Sequence, residues 1–496
     1  MKKIIPFILT IIILLNPTPI LSMNVPGYEG GINNESIYKE VIFVTGRPIV
    51  MEGTLTIKTK EKDNSIRETY KYNLENPKEN AKLSRSINII TTLEKKDNQT
   101  SYIQTLDSYS ETINIDGKRY EVKHNNKNQN YPWNQSTITY GTPLLEYNSG
   151  NMSARKTYTI DRGTERVIVE SQGELVGYSS PWSATETQTI EYIITYEDSL
   201  NPDNRWEGSA TVEVSYNNTK DYSYSENAPR QISFREGVTI TESHENVLKY
   251  TYDLPRMVNN TIVKGRNIGK DSFSVDTVPT NRRLNIPAAK DILGHEWEGE
   301  LFLLASMEAF PLNSSYIGPD TPISRGDFAK AIVKSMDIPI GEEEETRTRR
   351  TRRNRKEELP PPLFKDVNRN HRNFDYIEEV AKKGIMIGID NEYFHPDEPL
   401  SRVAAYTTII RLLGLENNIA PANKNYTTGY KDDANIPLWA KDYIYVAKEL
   451  NMVDRTDYFY PNRPITKGES SKLIVNLIHY MQEDLRMDYR ENILNN

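Results

Sequence analysis

Cysteine is absent from the 496-residue sequence, so no disulfide framework, thiol nucleophile or thiolate metal site can exist. An exported chain without cysteine fits a Gram-positive exterior or an anaerobe better than an animal secretory route. A basic excess is also missing. The 61 Lys and Arg face 69 Asp and Glu, which argues against a global nucleic-acid-binding surface and so against nucleic acid as a partner. Phenylalanine is scarce, 11 against 31 tyrosines. Tyrosine packs on a sheet and still tolerates water, so this balance suits polar, β-rich structure. His124 and His244 stand alone, without a second ligand at metal-binding spacing, and read as surface or structural residues. There is no G-x-S-x-G, P-loop or Gly-rich dinucleotide turn. No cofactor, metal or catalytic residue is therefore expected. Carboxylates are plentiful, but sequence does not reveal which two would flank a glycosidic bond.

Long apolar runs are missing too, except one. Lys2 and Lys3 precede Ile4–Leu15, and Asn16-Pro17-Thr18-Pro19 and Ser22 follow. This is the pattern of a signal peptide over residues 1–22. An uncleaved anchor is the alternative, because Ile20-Leu21-Ser22 matches a cleavage site poorly. The run is shorter than the roughly 20 residues a membrane helix needs, and no later segment comes close, so no membrane span is expected after signal removal. No cysteine follows the run to carry a lipid.

Residues 24–285 read as strands. Glu40–Val44, Gly53–Lys58, Thr69–Tyr72, Ser86–Ile90, Thr112–Ile115, Lys118–Val122, Arg166–Val169, Gln188–Ile194, Thr211–Tyr216 and Lys249–Tyr252 are rich in Val, Ile, Thr and Tyr. Asp116-Gly117 between two alternating runs is a hairpin signal. The expectation is an all-β, antiparallel, sandwich-like half, as one unit or as two joined at the Asn-rich stretch Asn125–Asn134. Trp133, Trp182 and Trp206 read as core or strand-end aromatics before sugar-stacking platforms.

The second half repeats itself. Ala289-Lys290-Asp291-Ile292, Phe364-Lys365-Asp366-Val367 and Tyr430-Lys431-Asp432-Asp433 each precede a helical pattern. Each is followed by a Pro-x-x-Pro loop: Pro319 and Pro322, Pro396 and Pro399, Pro461 and Pro464. The intervals from the Asp to the second Pro are 31, 33 and 32 residues. Such periodic units signal a repeat architecture. Each unit reads as helix, loop, helix. Trp439, Tyr443, Val446, Ala447 and Leu450 form one apolar stripe, and Trp297, Leu301, Leu304 and Ala305 echo it. Ser324, Ser401 and Thr466 stand at N-cap positions. Asp327 and Glu469 complete capping boxes in repeats one and three, while Ala404 breaks the box in repeat two. Between repeats one and two, residues 341–362 hold a run of Glu, then of Arg and Lys, and read as a disordered, solvated insertion.

The recurring aromatic-x-Pro-Asp-x-Pro-Ile-Thr-Arg pattern, with its preceding Phe-x-Asp-Val and Trp-Ala helix, resembles S-layer homology domains. The resemblance spans about Ala289 to Met481, with repeats at 288–340, 363–416 and 428–482. It implies an all-α helix-loop-helix bundle of pseudo-threefold symmetry that binds pyruvylated secondary cell-wall polysaccharide, a peptidoglycan-associated glycan, in grooves between repeats. It implies Arg325, Arg402 and Lys467 as the cations that meet the acidic sugar, with Ser324, Ser401 and Thr466 adding hydroxyl contacts and Trp297 and Trp439 a stacking face. A cation beside free helix N–H groups suits a carboxylate. Salt bridges to a neighbouring repeat, and core packing for the tryptophans, are the competing structural roles. The whole reads as a multidomain, secreted protein held non-covalently on the cell wall, its β half a structural or binding module of the S-layer or envelope. A wall-tethered carbohydrate-active enzyme is the alternative, and self-assembly into a lattice stays open.

Overall fold

The structure, a computed structural model, describes residues 30–62, 64–125, 127, 129–225, 237–258, 261–341, 361–390, 392–414, 426–454 and 456–488. The signal segment and nearly all of the charged insertion lie outside the described residues.

Fifteen strands form one antiparallel sheet. They are β1 (Ile32–Asn33), β2 (Tyr38–Ile42), β3 (Ile49–Lys62), β4 (Ser65–Asn76), β5 (Ala81–Lys96), β6 (Gln99–Ile115), β7 (Lys118–His124), β8 (Trp133–Gly141), β9 (Glu146–Ile160), β10 (Glu165–Ser179), β11 (Ser183–Asp198), β12 (Trp206–Ser225), β13 (Gly237–Val258), β14 (Thr261–Asp276) and β15 (Thr280–Arg283). Neighbours follow sequence order almost throughout, as a meander. The exceptions are β8, which pairs with β6 and β9 beside the short β7, and β15, which pairs with β13; the strands on either side of the Asn-rich stretch thus belong to the same sheet. Asp116 and Gly117 both take positive φ, 48° and 83°, as the two-residue turn between β6 and β7 requires.

The antiparallel β half and the helical half appear as expected, and the β layers belong to one rolled sheet. The first strand returns against the last ones. Asn246 Nδ2 donates to Asn33 O at 2.5 Å, Asn34 Nδ2 to Asp276 O at 2.6 Å, and the Tyr216 hydroxyl to Gly31 O. One core runs from Ile32 to Val275. The tyrosines explain themselves here: Tyr38, Tyr72, Tyr131 and Tyr216 are among its largest fully buried side chains. Their hydroxyls need partners, and a buried ionic cluster supplies some. Arg85 donates to both oxygens of Glu40 at 2.7 and 2.8 Å, and to Glu111. Tyr38 bonds Glu40, and Tyr109 and Tyr158 bond Glu111. Burial pushes the Glu111 carboxyl up, but Arg85, Lys156 and Tyr158 outweigh it and hold it below its usual range.

The helices are α1 (Glu298–Ser306), α2 (Arg325–Ser335), α3 (Phe374–Lys382), α4 (Arg402–Leu413), α5 (Lys441–Glu449), α6 (Lys467–His479) and α7 (Leu485–Asp488). The repeats interlock in a ring. Leu400 N donates to Ile323 O, Ile465 N to Leu400 O, and Ile323 N to Ile465 O, at 2.9, 2.9 and 3.0 Å. All three side chains are fully buried. The repeated aspartate has a local task. Asp291 accepts from Ile317 and Gly318 N–H, Asp366 from Phe394 and His395, and Asp432 from Phe459 and Tyr460. Each carboxylate thus folds its Pro loop back onto the repeat's start.

The sheet seats on the C-terminal ends of the second helices. Trp182 Nε1 donates to Ser335 O at 3.2 Å, and Leu144 N to Leu412 O at 3.2 Å. Ser183 Oγ donates to Met481 O just past α6, and Tyr222 stacks on His479. Carbonyls at helix C-termini lack partners within the helix. Sheet donors meet such carbonyls in repeats one and two, while in repeat three Ser183 meets a carbonyl of the π-helical turn Tyr480–Asp484 that continues α6; Leu145, Tyr178, Trp182 and Ile240 join the helical core.

Candidate binding site

The second helices α2, α4 and α6 begin at the ring, at the end away from the sheet. Their N-caps, Ser324, Ser401 and Thr466, are extended, as N-cap residues typically are. The capping differs from expectation. Thr466 and Glu469 form the full box in repeat three. In repeat one Ser324 accepts from Asp327 N–H, but the Asp327 carboxylate turns instead to Asn373 Nδ2 at 2.9 Å and Arg372 at 3.0 Å. The short Asp side chain serves the neighbouring repeat. Ser401 makes no side-chain cap bond.

The first-turn amides are not free, contrary to the expectation for a bare helix N-terminus. Arg325 N donates to Glu398 O and Gly326 N to Pro396 O; Arg402 N to Arg463 O and Val403 N to Pro461 O; Lys467 N to Thr321 O and Gly468 N to Pro319 O. Each pair crosses to the next repeat, so these N–H groups build the ring. What remains for an anion is the helix dipole and the cations.

The three cations repeat the same crossing. Arg325 Nε donates to Phe394 O at 2.8 Å and Nη2 to Ile387 O at 3.0 Å, with the guanidinium over the Phe394 ring. Lys467 Nζ donates to Ile317 O at 2.7 Å. Arg402 is buried at 7 % exposure, over Tyr406 and Phe459 and 3.7 Å from Glu469. Its cleft, lined by Trp297, Asp454, Lys472 and Asn476, has only about 10 Å³ of free space. That is about one water. Arg325 and Lys467 are half-buried, and these bonds leave further N–H donors on each.

The two tryptophans are not equivalent. Trp297 is the N-cap residue of α1 and lies over Gly468, where an added Cβ would come within 2.5 Å of its ring. Trp439 sits one position earlier, before the cap Ala440, and is 58 % exposed. It therefore leaves the apolar stripe, which runs through Ala440, Ile444 and Ala447 instead. Sequence reasoning missed His295 and His371. Each accepts a backbone N–H at the start of a first helix, at 3.2 and 3.1 Å, and faces Asp320 or Asp397. Their shared position two residues before the cap was the available signal.

The S-layer homology domain family matches residues 363–403 and 429–469, the second and third repeats. An S-layer protein of Bacillus licheniformis is 28% identical over 114 residues, 23% of this chain and 12% of that protein. An endoglucanase of Bacillus sp. (strain KSM-635) is 27% identical over 126 residues, 25% of this chain and 12% of the enzyme. The chain thus matches about an eighth of the length of either relative. Residues 363–403 and 429–469 are thus S-layer homology domains, and such domains indicate anchoring at the cell surface. No described helix is long and apolar enough to cross a membrane.

Proposed function

We propose that the chain is an exported protein held non-covalently on the wall, its bundle taking pyruvylated secondary cell-wall polysaccharide at the N-terminal ends of α2 and α6. The observation that carries this reading is the pair Arg325 and Lys467. Each is half-buried, positioned by a carbonyl of the next repeat, and has further N–H donors beside a helix dipole that favours anions. Ser324 and Thr466 stand beside them, Trp439 offers an exposed ring, and Arg402, next to Ser401 in sequence, lines the inner cleft with Trp297. The β half is a structural or binding module of the envelope carried on that anchor.

A wall-tethered glycan hydrolase is the second reading, and the endoglucanase relative is what favours it. Against it stands the fate of Glu40 and Glu111, which close on Arg85 inside the core and do not face a cleft. The deciding experiment is sedimentation of the full chain with purified sacculi, intact or stripped of secondary polysaccharide. Binding to the intact wall and loss with the stripped wall is expected. Equal binding to both sinks the polysaccharide assignment.

A further inference from the structure

The junction between sheet and helices leaves a groove of about 280 Å³, at the opposite end of the bundle from the helix N-termini. Its floor is the buried Trp182, Ile240 and Met307. Lys220 of β12, Arg282 and Arg283 of β15, and Lys334 of α2 line it. Lys334 is held by Glu308 at 2.9 Å; the contact lowers the carboxyl and raises the amine, so this pair is neutral together. Consecutive strand residues point to opposite faces, and Arg282, paired with Ile240, is the one that shares the face of the groove; Arg282 and Lys220 then face one other carboxylate, Asp337. At the base, Ser306 is 2 % exposed and its Oγ has no hydrogen-bond partner. A buried hydroxyl left unpaired is costly, and a polar group aimed into a groove is suited to a partner that enters from outside.

We propose that this groove binds a small organic anion, with a sugar-sized body against Met307 and Trp182. Its carboxylate or phosphate lies between Lys220 and Arg282, and a ligand oxygen meets Ser306 Oγ. The volume lies just below the usual range of ligand pockets and suits a monosaccharide-sized molecule. The C-terminal ends of α1 and α2 oppose an anion here, but weakly. A charge-assisted hydrogen bond outweighs that opposition, and two cations are available, so attraction prevails.

The test uses the full chain, titrated with glucuronate, glucose 6-phosphate and glucose, followed by calorimetry and tryptophan fluorescence. At least one acid should bind saturably and glucose should not, and which acid binds separates a carboxylate from a phosphate ligand. The double variant Arg282→Ala, Arg283→Ala should fold, by circular dichroism, and weaken binding at least tenfold. Ser306→Ala should weaken binding without lowering the melting temperature, since it removes an unpaired hydroxyl. Binding of glucose equal to the acids, or a double variant that binds as the parent does, overturns the proposal. Sedimentation with sacculi should be unchanged in the double variant; if it is lost as well, the groove is not an independent site and the proposal fails.

Discussion

The carboxylate of Asp366 accepts the amide hydrogen of Phe394 at 2.9 Å and, with its other oxygen, that of His395 at 2.7 Å. The same bond pair recurs at Asp291 and Asp432, so one carboxylate per repeat ties the Pro loop to the start of the unit. Burial raises the Asp366 carboxyl, but the backbone donors together outweigh it and hold it below its usual range.

A carboxyl held low in the folded state contributes stability that is full above its unfolded pKa, about 3.9, and disappears as pH falls through the folded value. Asp366→Asn should therefore cost about 1.5–3 kcal/mol near pH 7, the worth of a hydrogen bond to a charged group. The gap between variant and parent should narrow below pH 4. Thermal melts at pH 7 and pH 3 check this. A gap of equal size at both values would show that the charge is irrelevant.

The docking contact gives a second expectation. Trp182 is 3 % exposed, packs with Tyr222, and donates to the end of α2. Trp182→Ala should cost about 3–5 kcal/mol, as for other buried large-to-small changes. Because the sheet caps the second helices, the parent should unfold in one calorimetric transition and the variant in two. The segment 288–482 should still bind sacculi alone, but melt below the full chain, since it bares apolar surface and helix-end carbonyls. Two transitions in the parent would show that the halves are independent.

Much of this was legible beforehand, for stated reasons. Strand centres were visible because each carries β-branched and aromatic residues, and Asp116-Gly117 because only a turn with two positive φ values suits that pair there. The repeats were visible because proline spacing is rigid. Other features depend on which atoms meet across the fold. No local signal places Glu40, Arg85 and Glu111 together, since they come from three strands and meet only when the sheet rolls. The tryptophans misled by one residue: Trp297 and Trp439 look equivalent in an apolar stripe, yet a 100° helical step separates cap from flank. The first-turn amides looked free because a sequence shows a helix start but not the neighbouring carbonyl that occupies it.

The cations separate wall binding from repeat packing. Arg325→Ala and Lys467→Ala should each weaken binding to sacculi about tenfold to a hundredfold, the loss of one charge-assisted hydrogen bond at 1.4 kcal/mol per decade. The pair together should compound, because grooves engaged on one polymer act multivalently. Arg402→Ala should act differently. Its guanidinium is buried over Tyr406 and Phe459, and a desolvated cation–π contact contributes roughly 2 kcal/mol, so the change should lower the melting temperature first. Glu469 keeps Arg463 as a partner, so no carboxylate is stranded. Charge-conserving controls guard against misreading: Lys467→Arg should retain most binding, while Thr466→Ala should cost about 1 kcal/mol of helix stability and little affinity. Co-sedimentation with sacculi, beside melts by circular dichroism, reads both effects. If the Arg325→Ala, Lys467→Ala variant folds and still sediments fully, these side chains tie repeats together and do no more.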